Sequence, residues 1–465
     1  MARLVVVSNR VPDVADPSSP RAGGLAVGLA DALVPGSLWF GWSGHQVPER
    51  SSEISEAESE GISYATIDLA EADYRAFYLG FSNSTLWPLF HMLPSFVNYD
   101  TGEYRAYQEV NEEYAAALVK LLHPDDLVWI HDYQLLGVAA ALRRRGVTNR
   151  IGFYLHIPFP APAIYELLPP GEELLVGLLA HDVIGFQTRR DQEHFLATLR
   201  CHGFSLQGES LHYRGRLVRT VVTPVGVDVD AFHGLAVRAV RRVEARRVVE
   251  SLAGRALMIS ADRLDYTKGL PARFDSYGRF LSRFPNQRRR VSFLQVAAPS
   301  REEVDRYRDL RDELDNKAGA INGAFSDFDW VPLRYMTRAA GRPLLAGMFR
   351  ISRIGLVTPL RDGMNLVAME YVAAQNPDDP GVLILSKFAG AASILPEALL
   401  VNPYDIDGVA EAIDRALTMG LEERRERHAA LLAQARRHDA RAYCLGFTSA
   451  LRQCEARAMA EEAIR

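Results

Sequence analysis

An Asp-Gly pair follows an apolar run in the second half of the chain, where its backbone could bind an anion. The run "IGLVTPL" (354–360) predicts a buried strand, and residues 364–375 predict a helix. The first N–H groups of a helix have no partner within it and lie at its positive dipole end, so they attract phosphate. We therefore expect a diphosphate at the backbone amides of Gly363, Met364, Asn365 and Leu366.

Carboxylates on either side of these amides extend the prediction from a phosphate to a nucleotide sugar. Asp362 precedes the amides and could hold sugar hydroxyls, and Glu370 lies about two turns on and could accept both hydroxyls of a ribose. This order matches the order of sugar, diphosphate and ribose in a nucleotide sugar. The alternative, in which Asp362 caps the helix and Glu370 is a surface charge, stays open on this stretch alone.

Two cations follow an earlier predicted strand, in "SADRLDYTKGL" (260–270). Arg263 could bind a diphosphate through its planar fork and Lys268 as a point charge. The chain has only four lysines against forty-nine arginines, which favours a need for Lys268 over a solvated loop position. The spacing is not that of a Walker loop.

Short β-type runs alternate with helix-type segments along the chain, which predicts parallel sheets built from βαβ units. The predicted strands are 3–8, 38–42, 127–131, 151–156, 182–187 and 220–227 in a first series and 256–261, 291–297, 354–360 and 382–386 in a second. We expect two doubly wound, Rossmann-like α/β domains facing across a cleft, at 1–230 and 231–447. A C-terminal helix at about 448–465 is expected to pack back on the first domain.

Ligands of such sheets bind beyond the carboxyl ends of the strands. Polar clusters occur at those ends, at Ser8-Asn9-Arg10, His131-Asp132-Tyr133, His156, Arg301 and Arg361-Asp362. Single histidines and aromatics are more often ordinary core residues, so that interpretation stays open for His156 and, away from the strand ends, for Tyr78 and Trp87.

Composition excludes several other classes of protein. The net charge of −5 and the absence of a basic stripe argue against nucleic acid as a partner. No apolar run approaches the ~20 residues of a membrane span, and the N-terminus lacks a signal-peptide core. Three cysteines without metal-ligand spacing predict reduced thiols and a cytoplasmic protein. Asp-x-Asp triplets at 228/230, 327/329 and 405/407 leave a metal-dependent transferase as a minor alternative.

Ten motifs together resemble the trehalose-6-phosphate synthases, which are retaining glycosyltransferases of family 20 with the GT-B fold. The motifs are "VVVSNRVP", "RAGGLAVGL", "LWFGWSG", "SNSTLWPLFH", "VWIHDYQLL", "IGFYLHIPFP", "DRLDYTKGLP", "INGAF", "LVTPLRDGMNLVAMEY" and "LSKFAGAA". The resemblance implies transfer of glucose from a nucleotide diphosphate glucose to glucose 6-phosphate, without cofactor or metal, in a homo-oligomer. It makes the first domain the acceptor-binding one and the second the nucleotide-sugar-binding one.

Residue roles also follow from the resemblance. Arg263 and Lys268 look like the diphosphate clamp, Asp362 with the four amides like the glucose and phosphate cradle, and Glu370 like the ribose acceptor. Gly24 resembles the glycine that closes over the donor, and His156 the residue facing the donor glucose. The acceptor phosphate site would comprise Arg10, Tyr78, Trp87 and Arg301, with Asp132 as a partner of acceptor hydroxyls. Because Arg10 and Arg301 belong to different predicted domains, acceptor capture would depend on domain closure.

No pair of catalytic carboxylates is evident, so we expect front-face transfer in which the leaving diphosphate takes the acceptor's proton while Arg263 and Lys268 stabilise its charge.

Three positions depart from the family pattern: Ala298, Ala339-Ala340 and Met369. The alanines remove volume where a wall of the base pocket is expected, at Ala298 and Ala340, which favours GDP-glucose as donor, with ADP-glucose or UDP-glucose as alternatives. A different acceptor, as in glucosylglycerol-phosphate synthases or pseudo-glycosyltransferases, and a catalytically silent sugar-phosphate sensor are further alternatives.

Overall fold

The computed structural model describes residues 2–12, 33–301 and 304–454. The chain divides into two compact units, one formed by the residues up to Pro224 together with those from Ala440 onward, the other by Val225–Asp439. Both divisions fall a few residues before the positions expected from the sequence, 230 and 447. Within the described ranges, no helix is long and apolar enough to cross a membrane.

The first unit is built on one nine-stranded sheet whose central strands are parallel. Its strands are β1 (Leu4–Arg10), β2 (Leu38–Val47), β3 (Ser55–Ser59), β4 (Ile62–Ala70), β5 (Leu127–His131), β6 (Arg150–Leu155), β7 (Val183–Phe186), β8 (Ser210–Tyr213) and β9 (Arg216–Val222). The spatial order is β3-β4-β2-β1-β5-β6-β7-β9-β8, with antiparallel pairing only at the two edge pairs, β3 with β4 and β8 with β9. The parallel sheet expected from the sequence is confirmed in its central strands, and short antiparallel hairpins complete it at the two edges.

Strand order in this sheet reverses at β1. The chain first builds outward on one side through β2 and β4, and then returns to add β5 on the other side of β1. A crevice forms beyond the carboxyl ends at such a reversal, because the crossovers on either side leave in opposite directions. Arg10 ends β1 and His131 ends β5, so the predicted polar clusters lie at this reversal.

The helices of the first unit cover the sheet. They are Glu71–Asp73, the π-helical segment Tyr74–Leu86, Trp87–Phe90, Thr101–Val119, Val138–Arg144, Pro162–Tyr165, Gly171–Leu178, Arg189–Cys201 and Ala440–Arg452, with 3-10 turns at Pro94–Phe96 and Tyr133–Leu135. The last helix packs on β6 and β7 through Phe447, where the strands carry Gly152 and Gly185. A Cβ at either glycine would come within 2.7 Å of the Phe447 ring, so these glycines make room for the returning helix.

The second unit contains a six-stranded sheet in which all pairs are parallel. Its strands are β10 (Ala256–Arg263), β11 (Val291–Ala298), β12 (Leu333–Met336), β13 (Ile354–Val357), β14 (Val382–Ser386) and β15 (Leu399–Val401). The spatial order β12-β11-β10-β13-β14-β15 is that of a doubly wound dinucleotide-binding sheet. Its reversal lies between β10 and β13, the two strands that carry the predicted diphosphate-binding motifs.

Helices flank this sheet on both sides in the pattern of alternating β and α elements. They are Val229–Ala239, Val243–Leu252, Leu270–Arg283, Asp305–Phe325, Arg342–Ile351, Leu366–Ala374, Ile406–Thr418 and Leu421–Arg437, with 3-10 turns at Tyr266–Lys268, Pro285–Gln287 and Gly390–Ser393. Aromatic residues of the helix Leu270–Arg283, among them Phe274 and Tyr277, are fully buried against β11 and β12. The C-terminal helix expected at about 448–465 begins earlier, at Ala440, and residues 455–465 lie outside the described part of the chain.

Candidate active site

The loops after β10 and β13 are joined directly at the reversal of the second sheet. The strands pair at Met258 with Ile354, and beyond them the Leu360 N–H donates to the Thr267 carbonyl at 2.8 Å. Because the strands are parallel neighbours, both loops leave the same edge of the sheet. The two motifs predicted to bind one diphosphate therefore lie together.

Lys268 and Asp362 form an ion pair between these loops. The Lys268 Nζ lies 2.5 Å from Asp362 Oδ2, and the two side chains are only 11% and 14% exposed. Asn365 also donates to the same oxygen, at 3.0 Å. The helix Leu366–Ala374 begins after Asn365 without any capping hydrogen bond from a side chain. The alternative interpretation of Asp362 as a helix cap is therefore wrong, because its carboxylate faces Lys268 and Asn365.

Close backbone packing fixes the segment that begins this helix. The Asp362 carbonyl accepts from the Gly390 N–H at 3.1 Å, and the Met364 carbonyl accepts from the Ala391 N–H at 2.8 Å. A Cβ at Gly390 would lie 1.9 Å from the Gly363 carbonyl oxygen, so glycine is required there. The carbonyls of the segment thus point toward 390–391. In the described ranges, no hydrogen bond engages the backbone N–H groups of Gly363, Met364, Asn365 or Leu366. The arrangement suits an incoming anion.

Glu370 lies on the same helix with its carboxylate largely withdrawn from water. Its side chain is 18% exposed, and Oε1 lies 3.4 Å from the Arg342 Nε. Burial raises the pKa of Glu370 to about 7, although Arg342 opposes the shift. The Arg342 guanidinium is also stacked over the Phe232 ring, 5.2 Å from its centroid. Glu370 is therefore not an ordinary surface charge, since a solvated carboxylate keeps its normal pKa.

The two alanines predicted to line the base pocket lie in different settings. Ala298 ends β11 and pairs in register with Arg263, beside the predicted diphosphate clamp. Ala340 lies in the segment between β12 and the helix Arg342–Ile351 and is half-buried, next to an exposed Ala339. Arg301 follows β11 in the same unit, and its side chain is 6% exposed.

Arg273 is a buried support of this site that sequence reasoning missed. Its side chain is wholly buried in the helix Leu270–Arg283, and it crosses beneath the carboxyl ends of β10, β11 and β13. Its hydrogen-bond partners are Asp262, Ser260 and Gln295 through Nη1, Thr358 through Nε, and the Lys268 carbonyl through Nη2, at 2.5 to 3.0 Å. Arg273 thus ties the loop carrying Lys268 to three strands, a role that nothing in its helical sequence context signals.

In the first unit, Arg10 and Tyr78 share an aromatic support. The Arg10 guanidinium lies over the Trp42 ring, 5.7 Å from its centroid. Tyr78, in the π-helical segment, lies 6.3 Å from the same ring and stacks on Tyr74 at 5.4 Å. Trp42, in the "FGWSG" stretch, thus supports the predicted phosphate-binding Arg10. The sequence did not indicate this contact.

Asp132 and His156 are also brought together, at the ends of β5 and β6. The His156 backbone N–H donates to Asp132 Oδ1 at 3.2 Å, and the Asp132 N–H donates to the Tyr154 carbonyl at 2.9 Å. The His156 ring nitrogens face protein groups, with Nε2 at 3.0 Å from His131 Nδ1 and Nδ1 at 3.4 Å from Gln187 Nε2. The sequence had placed His131 in a polar cluster at a strand end, but it gave no indication of Gln187.

Both histidine rings are neutral in this setting. Burial lowers the pKa of His156 to about 3, and burial together with the neighbouring His156 lowers the pKa of His131 well below its ordinary value. An imidazole that cannot gain a proton near neutrality cannot serve as a general acid there. The pair is therefore suited to fixing geometry rather than to transferring protons.

Trp87 packs near this second group, against Tyr133. It is buried, with its ring 5.7 Å from that of Tyr133 and 4.1 Å from that of His91. Gly24, predicted to close over the donor, lies outside the described residues. The described part of the chain contains no group of three or more His, Cys, Asp or Glu residues arranged to hold a metal ion.

Comparisons with known proteins identify the family. The sequence model described as Glycosyltransferase family 20 matches residues 4–453. The trehalose-6-phosphate synthase of Sinorhizobium fredii is 45% identical over 456 residues, which cover 97% of this chain and 98% of that protein.

Solved structures agree in fold over the same extent. A UDP-forming alpha,alpha-trehalose-phosphate synthase from Burkholderia xenovorans, in complex with glucose-6-phosphate, superposes with a TM-score of 0.93 at 45% identity, covering 97% of this chain and 100% of that one. The E. coli trehalose-6-phosphate structure bound with UDP-2-fluoro glucose gives a TM-score of 0.92 at 43% identity, covering 98% and 100%. This chain therefore belongs to glycosyltransferase family 20 and is a hexosyltransferase with the GT-B fold of its trehalose-6-phosphate synthase relatives.

Proposed function

We propose that this enzyme transfers glucose, with retention of configuration, from UDP-glucose to glucose 6-phosphate, giving α,α-trehalose 6-phosphate and UDP. The observation that carries the proposal is the convergence of Lys268, Asp362 and the start of the helix Leu366–Ala374 at the reversal of the second sheet. A cation, a sugar-binding carboxylate and a row of backbone amides meet there. Glu370 follows on the same helix face that a ribose would reach.

The donor's diphosphate would bind between the amides of residues 363–366 and the cations Arg263 and Lys268. Before the donor binds, Lys268 is held by Asp362. A diphosphate oxygen beside Asp362 would also interact with the Lys268 ammonium. The carboxylate of Asp362 would then accept hydrogen bonds from glucose hydroxyls. Oxyanion stabilisation of this kind contributes most when the donor groups are fixed in place beforehand, and here Arg273 and the 390–391 backbone fix them.

The chemical step would proceed on one face of the glucose ring. The acceptor's anomeric hydroxyl forms the new bond to the donor's anomeric carbon while the bond to the diphosphate breaks, and the hydroxyl proton passes to the departing diphosphate oxygen. Arg263 and Lys268 stabilise the charge that grows on that diphosphate. The neutral His156 supports this route, because an imidazole with a pKa of about 3 is not present as the imidazolium acid near neutrality. The proposal needs no metal or cofactor.

For the acceptor, we assign the phosphate to Arg10, Tyr78, Trp87 and Arg301 and a hydroxyl group to Asp132. Arg10 and Tyr78 are supported by their shared contact with Trp42. Asp132 is supported by its fixed position beside His156. The glucose-6-phosphate complex of the Burkholderia xenovorans relative favours this acceptor over a glycerol phosphate or a cyclitol.

For the donor base, the volume argument favoured GDP-glucose, but the comparisons do not support it. The Burkholderia xenovorans relative is UDP-forming, and the E. coli structure holds a UDP-glucose analogue. Because Ala298 pairs with Arg263, volume lost at Ala298 bears on the diphosphate region rather than on the base. We therefore propose UDP-glucose ahead of GDP-glucose and ADP-glucose.

The test is a product assay with glucose 6-phosphate and each of UDP-glucose, GDP-glucose and ADP-glucose. We expect the highest kcat/KM with UDP-glucose, and a disaccharide phosphate whose two anomeric protons both show α coupling by NMR. Absence of trehalose 6-phosphate with all three donors would overturn the function, whereas a higher kcat/KM with GDP-glucose would overturn only the assignment of the base.

A further inference from the structure

A buried carboxylate lies behind the predicted phosphate-binding arginine of the second unit. Asp265 follows β10, and its side chain is wholly buried. Its Oδ1 accepts from the backbone N–H of Thr267 at 3.0 Å and from the Thr267 hydroxyl at 2.8 Å. These two bonds fix the orientation of the carboxylate and leave Oδ2 directed elsewhere.

Oδ2 of Asp265 faces Arg301 and Tyr307, which form a triangle with it. Arg301 Nη1 donates to the Tyr307 hydroxyl at 2.8 Å and lies 3.5 Å from Asp265 Oδ2. The Tyr307 hydroxyl donates in turn to the same Oδ2 at 3.3 Å. The guanidinium also lies 5.9 Å from the centroid of the Tyr307 ring. Three separate contacts thus hold one end of Arg301.

Asp265 stays ionised despite its burial. Burial alone would raise the pKa of Asp265, but the positive charge of Arg301, aided by Arg263 and Lys268, lowers it below the ordinary value. A buried carboxylate is costly unless it is paired and hydrogen-bonded. The cations predicted to bind the two phosphate-bearing substrates therefore share one buried counter-charge.

Arg301 itself is held in a backbone conformation that the residue type disfavours. Its φ is +51°, in the left-handed region. Such a conformation persists in a non-glycine residue only where the surroundings impose it. The contacts to Tyr307 and Asp265 are surroundings of this kind, since they fix where the guanidinium must lie.

We propose that Tyr307 and Asp265 are positioning residues for the acceptor, which hold the Arg301 guanidinium where it binds the phosphate of glucose 6-phosphate. This inference rests on the proposed function, which assigns Arg301 to that phosphate. Neither residue touches the substrate. Tyr307 acts only through Arg301, whereas Asp265 also neutralises part of the charge of Arg263 and Lys268.

The central variant is Tyr307→Phe, which keeps the buried ring and removes only the hydroxyl. We expect the KM for glucose 6-phosphate to rise about tenfold, because a hydrogen bond to a charged group is lost, while the donor KM and kcat stay within about twofold. Tyr277→Phe is the matched control, since Tyr277 is equally buried in the same unit and its hydroxyl donates to the Pro332 carbonyl at 3.0 Å. That control should leave both KM values unchanged.

Asp265→Asn keeps the shape of the side chain and removes its charge. We expect the acceptor KM to rise at least as much as in Tyr307→Phe, with an additional fall in kcat because Arg263 and Lys268 lose their counter-charge. The double variant Tyr307→Phe/Asp265→Asn should resemble Asp265→Asn alone, because both residues act through Arg301. Fully additive effects would overturn the proposed triangle.

Arg301→Gln separates this inference from the function on which it rests. If Arg301→Gln raises the acceptor KM and Tyr307→Phe does too, the inference stands. If only Arg301→Gln does so, the positioning role is overturned and the phosphate assignment stands. If Arg301→Gln leaves the acceptor KM unchanged, the assignment of Arg301 to the phosphate fails and the inference fails with it.

Discussion

Removal of the Lys268 ammonium is the most direct test of the diphosphate site. We consider Lys268→Met, which keeps most of the length and apolar stem of the side chain. In the structure the ammonium is almost buried and lies 2.5 Å from Asp362. The variant therefore removes one cation from the predicted diphosphate site and leaves one carboxylate there without its partner.

The size of the effect follows from these distances. Two unit charges about 4 Å apart attract by about 4 kcal/mol at an effective dielectric constant near 20. Lys268 already interacts with Asp362, so only the attraction to the charge that grows on the departing diphosphate counts toward the rate. Removing one such charge-stabilising donor costs about 3–4 kcal/mol. Since about 1.4 kcal/mol is a factor of ten, we expect kcat/KM for the donor to fall by about 10²–10³. The unpaired Asp362 would repel the diphosphate and add to the loss.

UDP release at saturating glucose 6-phosphate measures the effect, with calorimetric binding of UDP as a second readout. Lys317→Met is the matched control, because Lys317 pairs with Asp275 at 2.7 Å outside the site and exposed pairs of this kind contribute about 0–1 kcal/mol. The double variant Lys268→Met/Asp362→Asn should lose less than the sum of the single losses. A Lys268→Met enzyme within about threefold of the Lys317→Met control would refute the reasoning.

Three further predictions concern the donor helix and the returning C-terminal helix. Because burial raises the pKa of Glu370 to about 7, the ionised form that would accept from the ribose hydroxyls increases about tenfold from pH 6 to pH 8. With both proteins scaled to their UDP affinity at pH 6, calorimetry should show UDP binding about tenfold tighter at pH 8 in the parent enzyme than in Glu370→Gln. Gly390→Ala places a Cβ 1.9 Å from the Gly363 carbonyl oxygen, so the UDP affinity should fall at least about tenfold in the same assay without loss of secondary structure by circular dichroism. Phe447→Ala removes a buried ring that stacks on Trp129 with centroids 4.7 Å apart, and urea unfolding should show a loss of about 3–5 kcal/mol.

Central strands were predictable from the sequence, whereas the edge strands and β4, which lies next to an edge, were not. The run at 127–130 is a continuous apolar stretch that is buried throughout, as part of β5. By contrast, β3 reads "SEAES" and is almost wholly exposed. Its stability comes from backbone pairing with β4 rather than from buried side chains. A pattern of apolar residues carries no information about such a strand.

The loops of the site were predictable for a different reason. Cations, carboxylates and a glycine recur directly after predicted parallel strands, and the topology brings strand ends together. The supporting residues do not share this signal. Asp265 contacts Arg301, 36 positions away, and Arg273 contacts Thr358, 85 positions away. In the sequence, Arg273 is one of many arginines on a helix, and only the folded sheet reveals that it is buried.

Three of the predicted residues, in both units, share a strained backbone conformation. Asp132, Arg301 and Asn365 all have positive φ, of 76°, 51° and 79°, and the described chain contains only eight such non-glycine residues. With ψ at 166°, Asp132 adopts a conformation that is nearly confined to glycine and costs about 1–3 kcal/mol. Each of the three is held by a specific partner: the Tyr154 carbonyl for Asp132, Tyr307 for Arg301 and Asp362 for Asn365. The fold accepts this strain at three positions that we propose to bind substrate, so the interactions that hold these residues belong to the proposal as much as the residues themselves.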